Sequence, residues 1–162
     1  MKIEANKKNA LAVMPKMVVS VRDNDGNNNA LVVGYGGNCS YDPPMIMVGI
    51  VPSRHSYHMI KENGCFVAHL LDASQKELYK CCGTKSGKDS YKLKEYGVKM
   101  TNGKKVNAGV IEACPVAIEC TVVDSIMTGS HEMFVGKIEY VHADEDVLSD
   151  DQMVDLTKLN LL

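Results

Sequence analysis

Residues Asn29 to Leu70 read NALVVGYGGNCSYDPPMIMVGIVPSRHSYHMIKENGCFVAHL, and the punctuation of this stretch decides the fold. Three short apolar runs, Ala30–Val33, Met45–Val51 and Cys65–Leu71, are bounded by Gly, Pro or Asn, as strands are. Between the first two lies a predicted polar loop, Gly34–Asp42, closed by Pro43-Pro44. Pro52-Ser53-Arg54 follows the second run and leads into a predicted helix, His55–Asn63, with Ser53 near its start and Gly64 at its stop. Two loops rich in backbone donors and hydroxyls thus each follow a buried strand, and the second carries an arginine. That arrangement suits an anionic, planar ligand held largely by main-chain groups.

On the N-terminal side, residues 1–16 form an arm, and Met17–Arg22 alternates weakly as a first strand. The run Asp23–Asn29 contains Asp25-Gly26, a strong turn signal, and joins that strand to Ala30–Val33 as a hairpin. Asp23–Asn27 reads as a solvated tip; Asn29 sits at the root of the next strand. On the C-terminal side, Asp72 or Ser74 can cap a helix running to Cys82 and stopped by Gly83. A short helical piece ends at Gly97, and Gly103 marks a turn. Val116–Met127 and Met133–His142 are long strand-like runs joined through Thr128-Gly129-Ser130-His131. From Asp144 the tail is acidic, with Ser149 able to cap a short helix, Asp150–Leu156. Its apolar end, LTKLNLL, is expected to pack on the barrel or on a second subunit.

Many short strands, few helices and no βαβ alternation favour an antiparallel barrel in a single 162-residue domain. A net charge of −2 gives no electrostatic case for nucleic acid or an anionic membrane. No run approaches the ~18 apolar residues of a membrane span, and the start lacks a signal-peptide core. A cytoplasmic protein is expected. The six cysteines are scattered without a C-x-x-C, so they read as reduced, and Cys65 and Cys120 as small core hydrophobes. His55 and His58 lack the clustered partners a zinc site needs, so no metal is expected. The text G-T-K-S-G-K-D is no phosphate loop of the Walker type. Three residues rather than four separate its glycines, and Asp89 follows Lys88. No G-x-G-x-x-G follows a strand, which excludes a Rossmann site.

Asn29-Ala30, Asp42-Pro43-Pro44-Met45, Pro52-Ser53-Arg54-His55-Ser56-Tyr57 and Ser86-Gly87-Lys88-Asp89 occur in an order and spacing that carries a resemblance. From about Met14 to about His142 the chain resembles the flavin reductase-like, FMN-binding split-barrel proteins, flavoredoxins among them. The resemblance implies a mainly β, antiparallel split β-barrel of Greek-key type with a few short helices. It also implies FMN as cofactor, NADH or NADPH as electron donor, and a homodimer with FMN near the subunit interface. Free flavin or a redox protein partner would then accept the electrons. A non-catalytic flavin-binding electron carrier is the alternative, since both need the same loops.

Each candidate site residue has a plain structural reading beside the functional one. Gly34, Gly36 and Gly37 serve a bend or let the backbone approach a flat ring, for which Asn38, Cys39 and Ser40 offer donors. Ser53, Arg54 and Ser56 are a helix start with a solvated arginine, or a phosphate site built on helix N–H groups and a guanidinium. Lys88, beside Ser86 and Gly87, is a solvated loop lysine or a second charge for the same phosphate. The resemblance favours the cofactor in each case and adds Asn29. It also places His131 near the flavin and nicotinamide as the catalytic candidate. The family's Gly-Asp-His turn is Gly129-Ser130-His131 here, so the histidine matches and the acid does not. Lys137 and Tyr35 likewise stand where relatives often carry an acid and a tryptophan.

Overall fold

The computed structural model describes residues 1–88 and 91–162. Seven strands form one antiparallel sheet: β1 (Met17–Arg22), β2 (Asn28–Val33), β3 (Gly36–Ser40), β4 (Met45–Ile50), β5 (Cys65–Leu70), β8 (Val116–Met127) and β9 (Glu132–Ala143). Their spatial order is β2-β1-β5-β8-β9-β4-β3. β6 (Met100–Asn102) and β7 (Gly109–Ile111) make a separate two-stranded pair. Bulges between Glu119 and Cys120 and between Val122 and Asp124 bend the long β8–β9 hairpin, and the sheet curls until β2 nears β4. The mainly β split barrel expected from the sequence is the observed architecture.

Period-two alternation explains why β1 and β5 are apolar almost throughout. Val19, Val21, Phe66 and Ala68 point into the barrel with Ile46, Val48, Ile50 and Phe134, and α1 (His55–Asn63) plugs one end with Met59 and Ile60. The intervening residues are buried on the outer face. Val18 packs there with Ala30, Leu71, Cys82, Leu93 and Ile111, under α2 (Lys76–Thr84), α3 (Lys92–Glu95) and β7; Cys65 and Val67 pack against Val106 and Val110. Both faces of these strands are covered, so the runs read as continuous.

Several expectations need correction. Gly34–Asp42 is not a loop: Gly36–Ser40 forms edge strand β3, paired with β4 and bulged between Asn38 and Ser40. A Cβ at Gly36 would sit 2.7 Å from the Met47 carbonyl oxygen, so glycine there lets β3 lie close against β4. Arg54, not Ser53, is the N-cap residue of α1, and no side chain caps that end; Gly64 ends it at φ 68° as expected. Asp72 caps a 3-10 turn, Ala73–Gln75, and α2 then runs through Gly83 to Thr84. Gly83 is there for close approach, since a Cβ would sit 3.2 Å from Val32. The tail forms no α-helix at Asp150–Leu156. Ser149 Oγ instead accepts from the Met153 amide and lies within donating distance of Asp151 Oδ1 at 2.6 Å, and Gln152 sits at φ 63°, closing a tight turn. Leu162 packs on the outer-face core, while Leu156 stays exposed. All six cysteines are free.

Candidate functional site

A cleft of about 650 Å³ opens between β2, the start of α1 and the C-terminal half of α2. It gathers Asn29, Ser53, Arg54, Ser56 and Ser86 from three separate parts of the chain. Asn29 and Ser56 are buried and joined, with Asn29 Nδ2 donating to Ser56 Oγ at 2.7 Å. Among the described residues nothing accepts the Ser56 hydroxyl proton. Gly87 crosses directly over Asn29; a Cβ there would meet Asn29 Oδ1 at 2.2 Å, so only glycine lets the chain pass. A second cleft of about 790 Å³ shares Asn29, His55, Gly87 and Lys92 with the first, and Lys88 lines it. Asp89, the last residue of the Ser86–Asp89 motif, lies outside the described residues.

The charge of the first cleft is one-sided. Arg54, Lys80, Lys85 and Lys92 line it, and no carboxylate does among the described residues. Lys85 is engaged by Glu95 at 3.3 Å, whereas Arg54 has no acidic partner among the described residues. Lys92 is buried, and its Nζ donates to the Cys82 carbonyl at 3.2 Å and the Lys85 carbonyl at 2.8 Å. Two of its three N–H groups are thereby used at the end of α2. Burial lowers its pKa, against the neighbouring Cys82 and Cys81, which act to raise it. The donor set (guanidinium, buried ammonium, hydroxyls and amide) fits an anion such as a phosphate monoester. The sequence reading missed Lys80, Lys85 and Lys92. The available signal was a cation every three to five residues from Lys80 through Lys85 and Lys88 to Lys92.

His131 and the Gly36–Ser40 segment line neither of these two clefts. His131 is at the β8–β9 turn, with Ser130 Oγ 2.8 Å from its Nδ1 and the Tyr35 ring edge-on at 4.8 Å between centroids. The next residue, Glu132, is buried and ties this turn to α1. It accepts from Ser125 Oγ at 2.6 Å, from Tyr57 Oη, and from Lys61 Nζ at 3.0 Å. These bonds, Ser125 first, hold its pKa down at about 2. Gly36 and Gly37 are half-buried, Asn38 and Cys39 exposed and Ser40 half-buried; a Cβ on Gly37 would meet nothing within 4 Å. Among the described residues, no group of His, Cys, Asp and Glu is placed to hold a metal ion, and no helix is long and apolar enough to cross a membrane.

Comparison with known proteins follows the same outline. Flavoredoxin of Desulfovibrio vulgaris (Miyazaki F) superposes with a TM-score of 0.89 at 27% identity, covering 98% of this chain and 85% of that one. Flavoredoxin from Methanosarcina acetivorans superposes with a TM-score of 0.88 at 25% identity, covering 99% and 84%. An NADH:riboflavin 5′-phosphate oxidoreductase of Streptomyces pristinaespiralis is 25% identical over 122 residues, 75% of this chain and 66% of that protein. The chain spans only 54% to 61% of the length of three archaeal relatives that it matches. The family model described as "Flavin reductase like domain" matches residues 12–158, all but the two ends. The protein belongs to the flavin reductase-like family.

Proposed function

We propose that the protein is an FMN-binding oxidoreductase taking electrons from NADH or NADPH and passing them to free flavin or another acceptor. The observation that carries this reading is the cation-lined cleft, which collects Asn29, Ser53, Arg54, Ser56 and Ser86 with no carboxylate among its described lining. Arg54 and the amides at the start of α1 would hold the phosphate, with Lys92 and Lys88 adding charge from the two clefts. The Gly36–Ser40 segment would supply donors to the ring edge. His131, held by Tyr35 and Ser130, would hydrogen-bond at the face where the donor stacks. Bound FMN supplies the hydride-accepting chemistry, and the protein contributes position and hydrogen bonds. The Streptomyces relative, an oxidoreductase by name, supports an NADH donor. The two flavoredoxin superpositions favour a second reading, an electron carrier reduced by a protein partner. In either case we place the protein in the cytoplasm as a homodimer.

The test is anaerobic mixing of the FMN-loaded protein with NADH or NADPH. The reductase reading expects the flavin absorbance to bleach within seconds. Bleaching by dithionite but by neither nucleotide at millimolar concentration would select the carrier. Failure of the protein to acquire flavin absorbance at all would overturn both.

A further inference from the structure

Residues 1–16 contain neither strand nor helix, and two contacts tie their second half to the barrel. At one end Asn9, at φ 53°, accepts a hydrogen bond from Tyr35 Oη at 2.6 Å. At the other, Lys16 Nζ lies 5.9 Å from the centre of the Tyr79 ring. Tyr35 packs on His131, and Tyr79 lines the cation-rich cleft beside Arg54. The segment from Asn9 to Lys16 therefore links the two halves of the candidate site. Fully extended it can reach roughly 24 Å, long enough to lie along a nucleotide. Between its tethers it carries two large exposed aliphatic side chains, Leu11 and Val13, which are 76% and 92% exposed and belong to none of the core clusters.

We propose that residues 9–16 are a strap over the ligand site, with Leu11 and Val13 covering the apolar ring of the bound ligand and the Tyr35–Asn9 hydrogen bond as its latch. This inference rests on the FMN reading above. Two aliphatic groups held in water gain by closing on a flat apolar surface, and the tethers set where they can close. The latch is a single hydrogen bond between neutral groups at an exposed position, so it opens readily and lets ligand enter. Tyr35 then has two tasks: its ring supports His131, and its hydroxyl holds the strap.

Limited trypsin digestion of the full chain tests the strap at the exposed Lys8–Asn9 bond, with FMN occupancy followed separately by quenching of flavin fluorescence. Saturating FMN should slow cleavage there by about tenfold or more, which corresponds to ~1.4 kcal/mol of closure. In a Leu11→Asp, Val13→Asp double variant the protection should vanish and FMN should dissociate faster. Tyr35→Phe should reduce the protection while FMN still binds. Quenched FMN with unchanged cleavage would overturn the strap and leave the cofactor reading standing. No quenching at any concentration would overturn both. Protection that follows protein concentration rather than FMN would assign the arm to a second copy of the chain and overturn the strap.

Discussion

The flank around Glu119 and the cleft beside Arg54 are both rich in polar groups, and they differ in whether those groups are paired. Glu119 is fully buried and accepts from the amides of Lys104, Lys105 and Val106 and from His142 Nε2 at 2.6 Å. Burial alone would raise its pKa, but His142 and the three amides outweigh it and the net shift is downward. Around it Lys104 bonds to Tyr140, and Arg22 to Asn28, Asn102 and Asn107. Every one of these groups is answered within the chain. At the cleft, Arg54 has no such answer among the described residues, and the cations outnumber the nearby acids. A closed polar network holds a fold together. The cleft, among the described residues, is the one left open, and on the FMN reading proposed above its cations face the phosphate.

The largest effect should come from opening the closed network. Glu119→Ala leaves three inward-facing amides and a histidine without their acceptor and should destabilise the fold by ~3–5 kcal/mol. Urea unfolding at neutral pH would measure it. A loss below ~1 kcal/mol would mean that the amides of residues 104–106 reach water and that the flank is less closed than its geometry implies.

At the open cleft the effect should fall on binding instead. Arg54→Ala should weaken FMN by ~1.5–3 kcal/mol, the scale of a hydrogen bond to a charged group, with riboflavin nearly unchanged and stability within ~0.5 kcal/mol. Equal losses for FMN and riboflavin would remove Arg54 from the phosphate.

The same contrast governs what could be read from the sequence. β1, α1, β4, β5 and the β8–β9 hairpin were legible because alternation, Gly and Pro act locally, and α1 ends at Gly64 where the sequence places its stop. β3 was not, because a run such as GGNCS has no strand pattern of its own and is held by pairing with β4. Gly83 misled for a related reason: it sits close under Val32 across the outer face, where a Cβ would be tight, and no local rule contains that contact. Arg54 and Ser56 could be singled out beside a helix start. Lys92 shows in the sequence only as one of four regularly spaced cations; what sets it apart, a buried ammonium held against the end of α2, exists only in the fold. The one-sided charge of the cleft is a property of the assembled site. His131 was singled out through family resemblance alone, and it lines neither cleft.

A pH titration sharpens the comparison from the closed side. His69 is fully buried; its Nδ1–H donates to the Val18 carbonyl at 3.1 Å and its Nε2 accepts from the Ile111 amide at 3.0 Å. A proton on Nε2 would oppose that amide, and burial pushes the pKa down to about 4 from the usual 6.5. The unfolded chain therefore takes up this proton first as pH falls, and stability is lost between 6.5 and 4 and then levels. Between pH 7 and pH 5 the loss should be ~2 kcal/mol. His69→Gln should flatten that slope; an unchanged slope would place its origin elsewhere.

His131 lies between the two regimes, since it has partners in Tyr35 and Ser130 yet remains at an exposed turn. Its neighbour Glu132 anchors the turn to α1 through Tyr57 and Lys61, so removing the imidazole should leave the backbone in place. His131→Ala should therefore change FMN affinity by less than about tenfold, or ~1.4 kcal/mol, because the cleft around Arg54 is built from other elements. If the imidazole meets the donor's ring, flavin bleaching by reduced nicotinamide should slow well beyond any change in FMN binding. The two quantities can be read on one sample, by fluorescence for binding and absorbance for bleaching. A variant that binds and bleaches as the parent does would make His131 a turn residue, held by Tyr35 for packing. A variant that loses FMN and bleaching in equal measure would instead move His131 into the cofactor's binding site and away from the donor.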